Sequence, residues 1–187
     1  GATSLAIAAN PAEFKAGSIV EGLNNFWMPL DIKNMFYGFE PGSIGETSVL
    51  AILIGAVILL IARIASWRIM LGVILGGYAM AAFLNAVAPV NNPAHYFHLP
   101  AMYHMVMGGF MFGAVFMATD PVSAAATNTG KWIYGALIGI MTIIIRTVNP
   151  AYPEGMMLSI LLINVFAPLI DYYVVQANIT RRMKRAQ

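Results

Sequence analysis

The chain reads as an all-α integral membrane protein with about five transmembrane helices, and three observations predict that class. Hydrophobic residues fill 59% of the 187 positions and charged residues only 10%, against about 25% charged in a soluble domain. Mean hydropathy is +0.74. Long apolar stretches alternate with short connections rich in Pro, Gly and Asn, the residues that end helices. So few charges leave too little polar surface to face water on every side, so the solvent is largely lipid. There are no cysteines, which excludes disulfides and thiolate metal ligands. Four of the ten basic residues crowd into the tail "TRRMKRAQ". Basicity loaded on one end fits a membrane surface and argues against nucleic acid as a partner.

Residues 1–46 come first and do not read as a span. They open "GATSLAIAAN" and go on to mix charges, Pro and Gly with Phe26, Trp27, Met28, Phe36, Tyr37 and Phe39. Amphipathic aromatics favour the headgroup zone, so this segment is expected to lie on the membrane or against a partner. A five-helix transmembrane domain follows over 47–178, with spans at 47–63, 68–88, 101–119, 132–149 and 155–175. Crossing ~30 Å of hydrocarbon takes about 20 mostly apolar residues. A basic tail, 179–187, closes the chain.

Lys and Arg concentrate on the cytoplasmic side of membrane proteins. With Arg181, Arg182, Lys184 and Arg185 inside, counting back through five spans also puts Arg63, Arg68 and Lys131 inside. The connection 89–100, which holds neither Lys nor Arg, falls outside. Residues 1–46, and Thr3 with them, are then expected on the outer face.

Ionisable groups in or beside spans are costly and are functional candidates by default. Glu46, in "GSIGETS", is either a carboxylate complementing a helix N-terminus or part of a site. Asp120, in "MATDPVS", is either a cap ahead of Pro121 or a cation ligand. Asp171, in "NVFAPLIDYY", follows Pro168, whose ring frees a backbone carbonyl that could help to hold a cation. Arg146 is expected to snorkel or to pair with a carboxylate. His95, His98 and His104 match no metal spacing and read as interfacial polar residues. The glycines of "LGGY" and "MGGFMFGAVF" permit close helix packing or a face flat enough for a planar cofactor.

Several long motifs carry a family resemblance. "GSIGETS", "SWRIMLGVILGG", "GGFMFGAVFMATDPVSA", "WIYGALIG" and "IIIRTVNPAYPEGMMLSILLINVFAPLIDYYVVQANI" resemble the family of bacterial membrane proteins that holds the B subunit of the sodium-translocating NADH:quinone oxidoreductase. "FMATDPV" is shared with the D subunit of the related Rnf complex, while "PVSA" and "NPAYPEGMM" resemble the NADH:quinone enzyme's subunit. The resemblance runs through essentially the whole chain.

In that family a Ser-Gly-Ala-Thr motif carries FMN through a phosphoester to the Thr hydroxyl. Gly1, Ala2 and Thr3 match its last three residues, so the resemblance implies covalent FMN at Thr3 on the outer side. It also implies a protein of about twice as many spans, of which this is the C-terminal half. Riboflavin and quinone would be shared with the other half. The implied activity passes electrons from FMN towards riboflavin and ubiquinone, coupled to Na+ export across a bacterial inner membrane. NADH is oxidised on another subunit, and an FMN-carrying subunit adjoins this one. The Na+ candidates are Asp171 and Asp120, then Glu46, which equally suits the flavin site. The rival expectations are the Rnf paralogue and a secondary cation transporter without redox chemistry.

Overall fold

A computed structural model describes residues 4–9, 19–24, 29–89, 96–149 and 154–186. Thr3, Gly1, Ala2 and His95, together with Phe26, Trp27 and Met28, lie outside the described residues. Everything described is helix, turn or irregular connection, and no strand occurs among the described residues. Three short helices come first: α1 (Ser4–Ala9), α2 (Ile19–Asn24) and α3 (Ile32–Tyr37). They bury Leu5, Ile7, Leu23 and Met35 against the rest of the chain. Six residues make at most two turns, too few to stand alone, so these helices depend on that burial. None of the three is long enough to cross a membrane.

Four longer helices and one interrupted stretch follow. α4 (Val49–Ile61) begins at Ser48, whose hydroxyl accepts from the Ala51 N–H at 3.3 Å. Its 13 residues cover about 20 Å at 1.5 Å per residue, less than the span expected over 47–63. α5 (Trp67–Val87), α8 (Asn128–Val148) and α9 (Met156–Ala186) are each long and apolar enough to cross a membrane. α9 runs well past the expected end of its span at 175 and through the basic tail, and Pro168 sits inside it without ending it.

The expected span over 101–119 is the main correction. In place of one helix there are α6 (Ala101–Val106), a break, α7 (Phe110–Phe112) and a π-helical turn, Gly113–Met117. The cause is local. Met107 turns extended at φ −83°, ψ 135°, and Gly108 takes φ +60°, which a side chain disfavours.

α5 and α8 form the most extensive helix pair. Gly72 and Gly76 on α5 meet Gly135 and Gly139 on α8, small residues at four-residue spacing that let two backbones approach. A Cβ on Gly135 would lie 2.6 Å from the Ile69 carbonyl oxygen. The glycines of "LGGY" therefore serve packing. α9 packs on α8 and, near its start, on the π-helical turn. It leaves Leu161, Val165, Phe166, Tyr172 and Tyr173 exposed, an apolar face suited to lipid or to another helix.

Candidate functional site

A helix interrupted inside an apolar bundle frees backbone groups that must find partners. In a continuous helix, the carbonyls of His104 and Met107 would accept from N–H groups four residues on. Here Arg146, from the last turn of α8, replaces them. Its Nη1 donates to the His104 carbonyl at 2.8 Å and its Nη2 to the Met107 carbonyl at 3.2 Å, while Nε donates to the Glu154 carbonyl at 3.0 Å. The Phe110 ring lies 5.5 Å from the guanidinium carbon. Arg146 is 0% exposed. Of the two expectations for it, pairing holds and snorkelling does not.

Glu154 serves the other side of the break. Its Oε1 accepts from the Gly109 N–H at 2.9 Å and stands 3.8 Å from Arg146 Nη2. The cation thus meets the carbonyl end of α6 and the carboxylate the amide that begins α7, each with favourable sign. Gly109 carries no side chain because there is no room for one. A Cβ there would lie 2.8 Å from Glu154 Oε1 and 3.1 Å from Glu46 Oε2, so two carboxylates flank one backbone atom.

Glu46 also folds its own turn, accepting at Oε1 from the Ser43 N–H at 2.8 Å. A third carboxylate, Glu40, is 9% exposed, and its Oε2 has no partner among the described residues. Burial pushes its pKa up to about 7; a hydrogen bond from Ser4 opposes the rise, and the charges of Glu46 and Glu154 add to it. Burial likewise raises Glu154, against the pull of Arg146. Two further polar atoms beside the break are buried without partners among the described residues: His104 Nδ1 and the Tyr96 hydroxyl. Their rings meet edge to face at 5.7 Å. Burial pushes the Tyr96 phenol up to about 12, so it stays a neutral donor. His104 is buried rather than interfacial as expected.

The other predicted carboxylates lie towards the opposite end of α8 from Arg146. Asp171 fastens α9 to the connection ahead of α8: Oδ2 accepts from the Ala126 N–H at 2.6 Å, and Oδ1 from the Thr127 N–H at 3.0 Å and hydroxyl at 2.6 Å. The same Thr127 hydroxyl accepts from the Gly130 N–H at 3.0 Å and so caps α8. Asp120 accepts at Oδ2 from the Ser123 hydroxyl at 2.7 Å and N–H at 3.1 Å. Those bonds, the hydroxyl's first, hold its carboxyl below the usual range. Glu46 is therefore apart from Asp120 and Asp171. No group of three or more acidic or histidine side chains disposed to hold a metal ion occurs among the described residues.

Sequence reasoning missed Glu154, Glu40 and the break itself. The signal for the break was Gly108–Gly109 in mid-span. Glu154 was hidden in "NPAYPEG", which reads as a plain connection.

The sequence matches the model of the NQR2, RnfD, RnfE family over residues 1–180. It is 55% identical over 187 residues to the B subunit of the Na(+)-translocating NADH-quinone reductase of Pseudomonas paraeruginosa, 56% identical to that of Ectopseudomonas mendocina and 52% to that of Haemophilus influenzae. Each comparison covers 99% of this chain and 43% of the relative. The chain thus spans less than half the length of the curated relatives it matches.

Proposed function

The chain belongs to the NQR2, RnfD, RnfE family, and from that membership we propose that it is part of a membrane redox subunit of a sodium-pumping NADH:quinone oxidoreductase. In this reading FMN is carried on Thr3 as a phosphoester, and electrons pass on towards riboflavin and ubiquinone. Identity above half to relatives named as the B subunit of that reductase is the observation that carries the proposal, and it favours this enzyme over the Rnf paralogue. Bound FMN would supply single-electron chemistry, and the protein around it binding, spacing and electrostatics.

Thr3 is outside the described residues, so fit is judged from its neighbours. Ser4, the next residue, is 2% exposed and hydrogen-bonds Glu40. Leu5 packs against Gly108 at the helix break. The chain that follows the attachment residue is thus held against the polar end that contains Glu40, Glu46, Glu154 and Arg146. The small residues Gly1 and Ala2 suit an attaching enzyme, which must reach the hydroxyl. Buried Glu40, poised near neutral pH, can take up or release a proton beside that segment.

For Na+, the donor chemistry fits in part. Carboxylate and carbonyl oxygens suit a hard cation, and Asp171, Asp120 and Glu46 supply them. Yet the oxygens of Asp171 and Asp120 already accept several bonds, so ligands from beyond this chain would have to complete a site. We assign these three residues to the Na+ pathway and derive no coupling step from them. The orientation that places residues 1–46 outside, the bacterial inner membrane as location, and partnership with an FMN-carrying subunit belong to the same proposal.

The test is direct. The full-length subunit, made with its attachment machinery, should give a flavin-fluorescent band on denaturing electrophoresis, and Thr3→Ala should abolish it. NADH-dependent quinone reduction stimulated by sodium separates this enzyme from the Rnf paralogue and from a transporter without redox chemistry.

A further inference from the structure

Three basic residues far from the helix break converge on one cavity. Arg63 follows the end of α4, Arg68 lies in the first turn of α5 and Lys131 in the first turn of α8. All three line a cavity of about 460 Å³ with Leu60, Ser66 and Trp67, and no acidic side chain lines it. Clefts for small ligands run to roughly 300–1,000 Å³. Like charges gathered in one cavity repel each other, so the arrangement calls for an anion. Two local features mark this site. Arg63 is the single non-glycine residue with positive φ among the described residues, at 58°, a conformation that a side chain disfavours. The Arg68 guanidinium lies 5.0 Å from the Trp67 ring centroid, and Trp67 in turn meets Trp132 edge to face at 5.6 Å.

A second cavity of about 480 Å³ shares Leu60 and Trp67 with the first and runs between α4 and α5 over Leu53, Val57, Leu71 and Met111. Every residue lining it is apolar or aromatic. A cationic cavity that shares a wall with an apolar slot matches a molecule with an anionic head and a hydrocarbon tail. α4 adds a reason for one to sit here. Its length of about 20 Å falls short of a ~30 Å hydrocarbon core, so headgroups must come inward to meet its basic end.

We propose that the paired cavities bind one anionic phospholipid, with its phosphate among Arg63, Arg68 and Lys131 and an acyl chain in the slot between α4 and α5. Lys131 also feels the charge of Asp171, but a neutral quinone would leave Arg63 and Arg68 without a counter-charge in the cavity, and free phosphate would leave the slot empty. The proposal does not depend on the redox reading.

The test is native mass spectrometry of the complete complex, released from detergent with dioleoyl phosphatidylglycerol and dioleoyl phosphatidylcholine at equal concentration. The wild-type complex should keep the phosphatidylglycerol adduct in preference. Arg63→Gln combined with Lys131→Gln should weaken retention about 25-fold, taking about fivefold for each charge removed. Val57→Trp, which fills the slot and touches no charge, should weaken it too. Gel filtration of each variant as an intact complex confirms assembly. Equal retention of the two lipids would overturn the proposal, as would unchanged retention in both variants. If inorganic phosphate displaces the adduct and Val57→Trp has no effect, the cavity is a free-phosphate site and the lipid assignment fails. A wild-type complex without any phosphatidylglycerol adduct would mean that another segment fills the cavity, and would overturn it equally.

Discussion

Arg146 and Glu154 stand 3.8 Å apart across a broken helix, one donating to the carbonyls that end α6 and the other accepting from the amide that begins α7. The pair does for the backbone what a continuous helix does for itself. Removing Glu154 leaves a fully buried guanidinium without its carboxylate, while removing Arg146 orphans three carbonyls and leaves a half-exposed carboxylate. A buried acceptor left unpaired costs about 1–3 kcal/mol. Arg146→Met should lower stability in detergent by about that much, measured by denaturant unfolding. Arg146→Lys should recover only part of it, because an ammonium lacks the planar fork that reaches three carbonyls. Wild-type stability in Arg146→Met would remove the bracing role.

Glu40 makes a pH prediction. Its pKa, raised from 4.5 to about 7, means that the folded protein keeps a proton that an unfolded chain would release. The sign follows from that: the contribution is full below about pH 4.5 and is lost as pH rises through about 7. Infrared difference spectra should show a protonated carboxyl band that disappears with a midpoint near pH 7, and Glu40→Gln should delete it. A band unchanged by Glu40→Gln would assign that proton elsewhere.

Gly135 tests the α5–α8 contact. With the Ile69 carbonyl oxygen 2.6 Å from a new Cβ, Gly135→Val must push two backbones apart. Overpacking of this kind costs about 1–3 kcal/mol. The variant should unfold at lower denaturant, whereas Leu161→Val, on the exposed face of α9, should be near neutral.

Much of this was legible in the sequence, and the exceptions share one cause. Low charge and long apolar runs pointed to spanning helices; α5 and α8 follow them closely, and α9 starts where expected but continues through the basic tail. Gly76, in "LGGY", was legible as a packing residue, whereas its neighbour Gly72 and the partners Gly135 and Gly139 on α8 were not singled out. The α6–α7 break was half legible: Gly108–Gly109 marked the place, but apolar composition is blind to where backbone bonds go. Glu154 was not legible as Arg146's partner, since only the fold of the α8–α9 connection brings it to Gly109. Asp171 was legible as a polar residue in a costly position. Its bonds to Ala126 and Thr127 reach across to another connection and leave no trace in local sequence.

Asp171 separates a fastening role from a sodium role. Thr127→Val removes the 2.6 Å bond to Asp171, and Asp171→Asn turns one of the two oxygens that accept from Ala126 and Thr127 into an NH2 that cannot accept, so both should loosen the start of α8. Only Asp171→Asn should raise the sodium concentration for half-maximal activity of the complete complex, by about tenfold, which is about 1.4 kcal/mol. Equal sodium dependence in the two variants would take Asp171 out of the sodium pathway and leave it a fastener.

The central claim, that this is a flavin-bearing redox subunit, comes down to one hydroxyl. Peptide mass analysis of the full-length subunit, produced with its attachment machinery, should find Thr3 heavier by one FMN less one water. It should also find the Thr3→Ala peptide unmodified. An unmodified Thr3 in an active, sodium-stimulated complex would contradict the account.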